Sequence, residues 1–339
     1  MSGVYGGIDL HSNNSVVAVK DAAGTLLYRQ RLRNDLPAID RALAPYREQL
    51  KAVVVESTFN WYWLVDGLME AGYPVQLANT TAIQQYNGLK HTDDESDAEW
   101  LAEMLRLGIL PTGYIYPKAE RAVRDLLRMR AQLVRQRTAN LLSLQNLVQR
   151  TTGSRIKSDV LRTLGPEQPA QLFANPDVAR AAAATVHVRQ CLDGEIAALE
   201  KIVRERVKLR PEFVKLKSIP GVGNILALTI MLEAGTIGRF PSVGDFASYC
   251  RCVNSARLSN GKKKGTGNVK NGNRYVAWAF VEAAHFAIRF SAPIQRFHHR
   301  KRARTHALVA LKTVAHKLAR AAYYILRDQV TFDVTKAFA

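Results

Sequence analysis

Two apolar stretches near the start of the chain each lead to an acidic residue. Residues 4–10 are apolar and rich in strand-forming side chains and contain Asp9, and residues 52–55 form a wholly apolar run that ends at Glu56. Short apolar runs bounded by turn residues are typical of strands buried in a sheet. We therefore predict an N-terminal sheet, with further strands at residues 15–20 and 26–32, in which Asp9 and Glu56 stand at strand ends.

A predicted helix brings two further acids, Asp94 and Asp97, toward that sheet. It begins with a capping-box pattern, a threonine followed three residues later by a glutamate. The three-residue spacing of Asp94 and Asp97 puts both carboxylates on one face of the helix. The same face carries the apolar side chains that must dock on the sheet, Trp100, Leu101, Met104 and Leu105. Asp93 is an alternative to Asp94, although only Asp94 keeps the spacing to Asp97.

The four acids Asp9, Glu56, Asp94 and Asp97 are therefore predicted to form one metal-binding set. Two carboxylates about 4 Å apart repel by roughly 4 kcal/mol at an effective dielectric constant near 20, so four of them need a cation or a shared proton. Oxygen ligands without His or Cys favour Mg²⁺, or alternatively Mn²⁺, over zinc. Because bound Mg²⁺ commonly contacts substrate phosphates, the predicted substrate is a phosphodiester. The alternative is a group of solvated acids at a helix start, which accounts less well for Asp97.

The charge of the chain is divided between its two ends. Residues 1–116 carry nine Lys and Arg against 14 Asp and Glu, whereas residues 251–339 carry 18 against three, within a total net charge of +19. A basic segment interleaved with aromatic side chains is typical of a nucleic-acid-binding surface, although such a segment can also be a solvated face. The aromatic residues of this stretch are Tyr249, Tyr275, Trp278, Phe286 and Phe290.

The remaining composition indicates an ordinary globular protein. The 339 residues include no run of 18 apolar residues and no signal-peptide pattern at the start, so we predict a cytoplasmic protein without a membrane partner. The three cysteines, Cys191, Cys250 and Cys252, are too few for a disulfide framework. The Cys-x-Cys pair is expected to serve as small buried side chains rather than as zinc ligands.

The middle of the chain predicts long helices. Residues 118–150 contain no Pro or Gly, and Leu127, Val134, Leu141 and Val148 recur every seven residues. A second helix is predicted at about residues 181–209, after a looser segment at residues 151–177 that could act as a hinge. Three heptads fit a coiled coil between two chains, or equally a helical hairpin packed within one chain.

Two glycine-containing segments follow. Pro220-Gly221-Val222-Gly223 precedes a predicted helix at residues 224–234 and is similar to a helix-hairpin-helix turn, in which Gly221 and Gly223 would let backbone N–H groups approach a DNA phosphate. A tight helix–helix turn that needs glycine for its geometry is the alternative. Residues 257–273 are rich in lysine and glycine and predict a flexible basic loop before a helix that starts at Arg274.

Several of these motifs together resemble one family. They are Gly-Ile-Asp at Asp9, Val-Val-Val-Glu-Ser-Thr at Glu56, the Asp94 and Asp97 pair followed by Ala, residues 218–223, Phe-Ala-Ser-Tyr-Cys at residues 246–250, Ser259, and Lys-Asn-Gly-Asn at residues 270–273. In this order they look like the transposases of insertion-sequence family 110, and the match spans nearly the whole chain.

The resemblance implies an α/β plus α architecture in three parts. Residues 1–116 would form a mixed sheet with helices, like the domains of RNase H and RuvC, that carries the Asp-Glu-Asp-Asp metal set. Residues 117–210 would form a helical coiled coil. Residues 211–339 would form a mainly helical transposase domain in which Ser259 is the nucleophile, with Ser255 as the alternative.

The resemblance also implies the reaction and the partners. The chain is expected to be an RNA-guided DNA recombinase that cuts and rejoins strands through a phosphoserine intermediate, near the nucleoid. Its partners would be donor DNA, target DNA, a noncoding bridge RNA and further copies of itself, as a dimer that assembles to a tetramer. The residues that would hold the nucleic-acid backbone are Lys262, Lys263, Lys264, Lys270 and Arg274. The alternatives are a nuclease or junction resolvase that uses water, and a non-catalytic nucleic-acid-binding protein.

Overall fold

The computed structural model describes residues 3–83, 94–208, 210–253, 256–266 and 271–338. The chain divides into two units, Met1–Lys118 and Ala119–Ala339. The predicted boundary at residue 210 within the second unit stays a prediction. Among the residues described, no helix has both the length and the apolar character needed to cross a membrane.

The first unit is built on a six-stranded sheet. Its elements in chain order are β1 Val4–Leu10, β2 Asn14–Lys20, β3 Leu26–Arg33, α1 Leu36–Leu43, β4 Leu50–Glu56, α2 Tyr62–Glu70, β5 Val75–Ala78, α3 Thr80–Ile83, α4 Asp94–Arg106 and β6 Thr112–Gly113. The strand order is β3-β2-β1-β4-β5-β6. The pairs β1–β4 and β4–β5 are parallel, and the other neighbours are antiparallel. The predicted mixed sheet is confirmed.

The two faces of this sheet are covered by different helices. Because successive side chains of a strand point to opposite faces, Ile8 and Leu10 of β1 and Val55 of β4 lie on one face. There they pack with the buried side chains of α1 and α2. Ala52 and Val54 lie on the other face and pack with Leu101, Met104 and Leu105 of α4. The predicted docking of α4 through its apolar face is therefore correct.

The second unit begins with two long helices. Its first elements are α5 Lys118–Thr152, α6 Ser158–Thr163, α7 Pro169–Leu172, α8 Pro176–Val207 and α9 Pro211–Leu216. Ion pairs join Arg130 to Glu200 at 2.7 Å and Arg137 to Asp193 at 2.9 Å, a register in which α5 and α8 run antiparallel. Buried side chains of the two helices pack together on either side of these pairs.

The side chains that recur every seven residues along α5 form its heptad stripe, and most of them pack within the chain. Leu127, Leu141 and Val148 are buried in clusters that contain side chains of α8. The sequence left open a coiled coil between two chains or a helical hairpin within one chain. The structure has the helical hairpin within one chain. The segment at residues 151–177 is also less loose than predicted, because Leu161 of α6 and Phe173, which follows α7, are buried against side chains at the ends of the two long helices.

The rest of the second unit is a helical core with one small hairpin. Its elements are α10 Asn224–Ala234, α11 Val243–Tyr249, β7 Ala256–Ser259, β8 Lys262–Thr266, α12 Arg274–Phe290, α13 Ala292–Arg302, α14 Ala307–Asp328 and α15 Val334–Phe338. Helix α10 is apolar all round and is buried from Leu226 to Ala234. Cys250 is buried in this core, which raises the pKa of its thiol, and burial raises the pKa of Cys252 to about 12.

Candidate active site

Asp9 and Glu56 end neighbouring strands on the same face of the sheet. Asp9 is 2% exposed and alternates with Ile8 and Leu10, so its side chain points to the face covered by α4. The parallel register pairs Ile8 with Val55. The next residues of the two strands, Asp9 and Glu56, therefore lie side by side. Glu56 alternates with Val55 and shares the α4 face. Two of the predicted acids therefore lie at one edge of one face.

Asp97 reaches this edge because α4 lies very close to β1. A Cβ at Gly7 would be 2.1 Å from the carbonyl oxygen of Ala98, so only glycine allows this approach. Ala98 packs on Val16 and Ala18, the residues that pair with Asp9 and Gly7. Asp97, one residue before Ala98, is thereby placed near the strand end that carries Asp9.

One pocket at this edge contains two of the acids. Glu56 and Asp97 both line it, together with Thr80, Trp100 and Met104. Its wall therefore combines carboxylates from a strand end and from α4 with apolar side chains behind them. The cavity is where a group bound between Glu56 and Asp97 would lie.

Asp9 also has a histidine partner that sequence reasoning missed. His11 Nε2 lies 3.2 Å from Asp9 Oδ2. The His11 carbonyl oxygen accepts hydrogen bonds of 3.0 Å from the side-chain amides of Asn34 and Asn60, which fix the turn after β1. The signal in the sequence is the Asp-Leu-His order at a strand end, where a histidine two residues after the acid can fold back toward it.

The described residues fit a hard cation in the chemistry of their donors. Asp9, Glu56 and Asp97 supply carboxylate oxygens at one edge of one sheet face, which is the donor type that Mg²⁺ and Mn²⁺ prefer. No group of three or more His, Cys, Asp or Glu among the described side chains is close enough to hold a metal ion. The Asp94 backbone opens α4, but its side chain lies outside the description, as do Thr92 and Asp93. The four-acid set stays a prediction.

Ser259 lies on an ordered hairpin, and the predicted flexible loop is wrong for residues 256–266. Strands β7 and β8 pair antiparallel, with Ser259 opposite Lys262. The turn residues Asn260 and Gly261 have φ angles of 50° and 69°, the left-handed values of a two-residue type I′ turn. Ser259, Lys262 and Lys264 are exposed. Lys263 belongs to β8, but its side chain lies outside the described residues, as do Ser255 and Lys270.

The base of this hairpin is closed by backbone contacts between α11 and the start of α12. The backbone N–H of Asn273 donates a 2.6 Å hydrogen bond to the Tyr249 carbonyl oxygen. The Arg251 guanidinium donates to the carbonyl oxygens of Asn271 and Gly272 at 3.0 and 2.9 Å. Gly272 has a φ of 85°, and a Cβ there would be 2.5 Å from the Tyr249 carbonyl oxygen. Residues 249–251 and residues 271–273, which precede and follow the hairpin, are therefore held against each other.

A buried carboxylate supports this base, and sequence reasoning did not find it. Glu233 is 3% exposed and accepts two 2.7 Å hydrogen bonds from the Arg128 guanidinium. It also accepts a 2.7 Å bond from the Asn273 side-chain amide, which in turn lies 2.9 Å from the Tyr249 hydroxyl. Glu233 raises the pKa of Arg128, against the opposing effect of burial. Four helices, α5, α10, α11 and α12, meet at this carboxylate.

The two glycines of the predicted helix-hairpin-helix turn have different roles. Gly221 has a φ of 84°, and a Cβ there would lie 2.4 Å from the Ala283 carbonyl oxygen of α12. Packing alone therefore explains Gly221. Gly223 is the N-cap of α10, with no side-chain cap and no acid in the first turn, and a Cβ there would meet no atom within 4 Å. Phosphate binding by this turn stays a prediction, with Gly223 as its better-placed member.

Arg274 opens α12 on the surface. It is exposed, and its guanidinium donates a 3.0 Å hydrogen bond to the Tyr275 hydroxyl. The same guanidinium lies 5.0 Å from the centre of the Tyr275 ring. Arg274 is thus a surface cation that contacts Tyr275 at the start of α12, and its contact with a nucleic acid stays a prediction.

Known families match both units of the chain. A model of DEDD transposases of IS110 elements matches residues 6–152, and a model described as the transposase IS116/IS110/IS902 family matches residues 214–300. A probable family 20 transposase of Pseudomonas aeruginosa is 26% identical over 68% of this chain and 69% of its own length. A transposase for insertion sequence element IS1111A of Coxiella burnetii is 23% identical over 68% of this chain and 63% of its own length.

Proposed function

Since the chain belongs to the IS116/IS110/IS902 family of transposases, we propose that it cuts and rejoins DNA strands of an insertion sequence. The observation that carries the proposal is the shared sheet edge of Asp9, Glu56 and Asp97. A buried carboxylate such as Asp9 is costly to keep in a fold even beside a histidine, which favours a functional reason for keeping it. A phosphodiester with a divalent cation provides such a reason.

The acids would act as the metal set, completed by Asp94. Asp9, Glu56, Asp94 and Asp97 would hold Mg²⁺, or Mn²⁺ in its place. A divalent ion, when bound, would orient the scissile phosphate and offset the charge on its oxygens. His11 would keep Asp9 in a single orientation through its contact with one carboxylate oxygen.

Ser259 would be the nucleophile. Its exposed position next to a two-residue turn leaves the hydroxyl accessible to a DNA strand. In the reaction, the Ser259 oxygen would bond to phosphorus as its proton leaves to a base, and the bond from phosphorus to the sugar oxygen would break. Because one phosphate ester replaces another, a hydroxyl of a partner strand can reverse the step, so rejoining needs no external energy source.

The basic residues around Ser259 would hold the DNA backbone. Lys262 is directly opposite Ser259, a position in which Cβ atoms are about 5 Å apart, so its ammonium can reach a phosphate bound at the serine. Lys263, Lys264, Lys270 and Arg274 would extend this contact. Such contacts position a strand without reading its sequence, which is consistent with recognition through a bridge RNA. We propose action at the nucleoid in the cytoplasm, by a dimer that assembles to a tetramer.

Covalent adduct formation tests the proposal. The purified protein is incubated with element DNA, its flanking noncoding RNA and Mg²⁺, and denatured samples are examined for DNA attached to protein. We expect an adduct that maps to Ser259 and is lost in Ser259→Ala, while Ser255→Ala serves as the matched control and keeps it. Asp9→Asn should lose DNA cleavage whether the attacking group is Ser259 or water.

The other outcomes identify the alternatives. Full cleavage by Ser259→Ala with no adduct in any variant would indicate a nuclease that uses water. An adduct that survives in Ser259→Ala but not in Ser255→Ala would move the nucleophile to Ser255. Binding without any Mg²⁺-dependent cleavage or joining would indicate a non-catalytic nucleic-acid-binding protein.

A further inference from the structure

Two phenylalanine rings of α12 lie parallel on the surface of the second unit. Phe286 and Phe290 are 43% and 68% exposed, their ring centres are 6.3 Å apart, and their planes differ by 6°. Tyr249 of the same basic stretch is instead held in contacts with Glu233 and Asn273. An exposed pair of large rings in a soluble unit points to a binding surface.

The charges around the pair favour a polyanion. The Arg289 guanidinium lies 5.3 Å from the centre of the Phe290 ring. Residues 274–304 contain seven Lys and Arg and one acid, Glu282. A second copy of the chain that presented this same surface would bring the same excess of positive charge and would be repelled, whereas a nucleic acid would be attracted.

The glycine turn before α10 borders this aromatic pair. Gly221 packs on Ala283 and Ala287, and a Cβ on Gly221 would lie 3.0 Å from the Phe286 Cβ. The backbone N–H groups at the start of α10 are not capped by a side chain. A strand whose phosphate lies at this turn would therefore have its bases beside the phenyl rings.

We propose that Phe286 and Phe290 form a stacking platform for unpaired bases of a nucleic-acid strand. The proposal deepens the proposed function, on which it rests, by assigning a site to single-stranded segments of the DNA or RNA. Every base has a flat π-face, so stacking on phenyl rings tolerates any sequence. Duplex bases are already stacked on one another and would gain little from these rings.

A leucine double variant tests the platform. Phe286→Leu/Phe290→Leu keeps an apolar surface but removes the flat rings. Fluorescence anisotropy at one fixed salt concentration gives the affinity for a single-stranded oligonucleotide and for a duplex of the same length. We expect the single strand to bind at least about tenfold more weakly, as loss of one base stack predicts, and the duplex to bind as before. In the unmodified protein, 2-aminopurine within the single strand should lose fluorescence on binding.

The control and the contrary outcomes separate this platform from other uses of the surface. Phe59→Leu removes an aromatic ring that is 85% exposed in the first unit and should leave both affinities unchanged. Unchanged single-strand binding by the double variant overturns the platform, as does a loss of self-association with no loss of binding. An unmodified protein that binds neither oligonucleotide contradicts the proposed function itself.

Discussion

Gly7 is the residue on which the geometry of the acidic site depends most directly. It sits two positions before Asp9 on the same face of β1, and the backbone of α4 occupies the space where a side chain would be. A Cβ there would be 2.1 Å from the Ala98 carbonyl oxygen and 2.7 Å from the Ala102 nitrogen. Neither backbone atom can move unless the whole helix moves, so any side chain at Gly7 shifts α4, and Asp97 with it, relative to β1.

We predict that Gly7→Ala weakens the fold and abolishes cleavage together. Overpacking of this kind costs about 1–3 kcal/mol, which should lower the midpoint of urea unfolding followed by circular dichroism. DNA cleavage should fall by more than the unfolded fraction explains, because the acids no longer share one edge.

Gly113→Ala is the matched control in the same sheet. The nearest heavy atom to a Cβ at Gly113 is 3.6 Å away, an ordinary contact, so stability and cleavage should change little. If Gly7→Ala had the urea midpoint and the DNA cleavage of the unmodified chain, α4 would not pack as closely on β1 as described.

At the scale of elements, the hairpin of Ser259 depends on contacts that lie outside it. A hairpin of two short strands is only marginally stable alone. Here the residues that precede and follow it in the chain are anchored at Glu233, through Tyr249 at the end of α11 and Asn273 at the start of α12. The orientation of Ser259 should therefore respond to changes at Asn273.

We predict that Asn273→Ser loosens the hairpin while α12 stays capped. Serine is as good an N-cap as asparagine but is too short to reach Glu233 and the Tyr249 hydroxyl. Hydrogen–deuterium exchange should become faster at residues 249–253 and 271–273. The single-turnover rate of adduct formation should fall about tenfold, since loss of a hydrogen bond to a charged group is worth about 1.5–3 kcal/mol, while affinity for DNA stays constant.

Asn175→Ser provides the control for capping itself. Asn175 caps α8 with the same geometry, accepting from the amides of Asp177 and Val178, and lies at the start of α8 rather than at the hairpin base. It should leave exchange near the hairpin and adduct formation unchanged. An equal loss of adduct in both variants would show that capping, not the contact with Glu233, matters.

Elements with a clear local pattern could be predicted from the sequence. Strand β1 and helix α10 have the predicted bounds, since alternating or continuous apolar residues end at turn residues in each case. Helix α8 begins at Pro176 rather than near residue 181, because Asn175 caps it and proline suits its first turn. The hairpin also had a local signal, Asn260-Gly261, which the abundance of lysine and glycine around it obscured.

The site was only partly predictable for a different reason. Asp9 and Glu56 stand at strand ends, so their common edge follows from local pattern. Glu233 is a lone acid in an apolar helix, which signals a buried partner, but no local pattern identifies Arg128, 105 positions away, as that partner. Contacts between distant segments depend on the packing of the whole unit and are not encoded in spacing.

At the scale of the molecule, the two halves of the proposed chemistry belong to separate units. The acids Asp9, Glu56 and Asp97 are in Met1–Lys118, and Ser259 is in Ala119–Ala339. The net charges of residues 1–116 and 251–339 also have opposite signs. Leu127, Leu141 and Val148 of the α5 heptad stripe are buried within the chain, so these three side chains are not available to pair two chains.

We predict that the acids of one chain act with the serine of another. A chain with Asp9→Ala and a chain with Ser259→Ala, each inactive alone, are mixed under conditions that exchange subunits. In a twofold-symmetric dimer half of the random pairs are mixed, and one of the two shared sites in each mixed pair is intact, so about a quarter of the adduct yield should return. Sites built within single chains would give no recovery.

A second mixture distinguishes sites shared between chains from sites within one chain. A chain carrying both Asp9→Ala and Ser259→Ala is mixed with the unmodified chain. Sites shared between chains would then be intact only in unmodified pairs, about a quarter of the dimers, whereas sites within one chain would survive in every unmodified subunit, about half of the total. Recovery in the first mixture combined with the lower yield in the second would establish a shared site. The opposite pair of results would place Asp9 and Ser259 of one chain together.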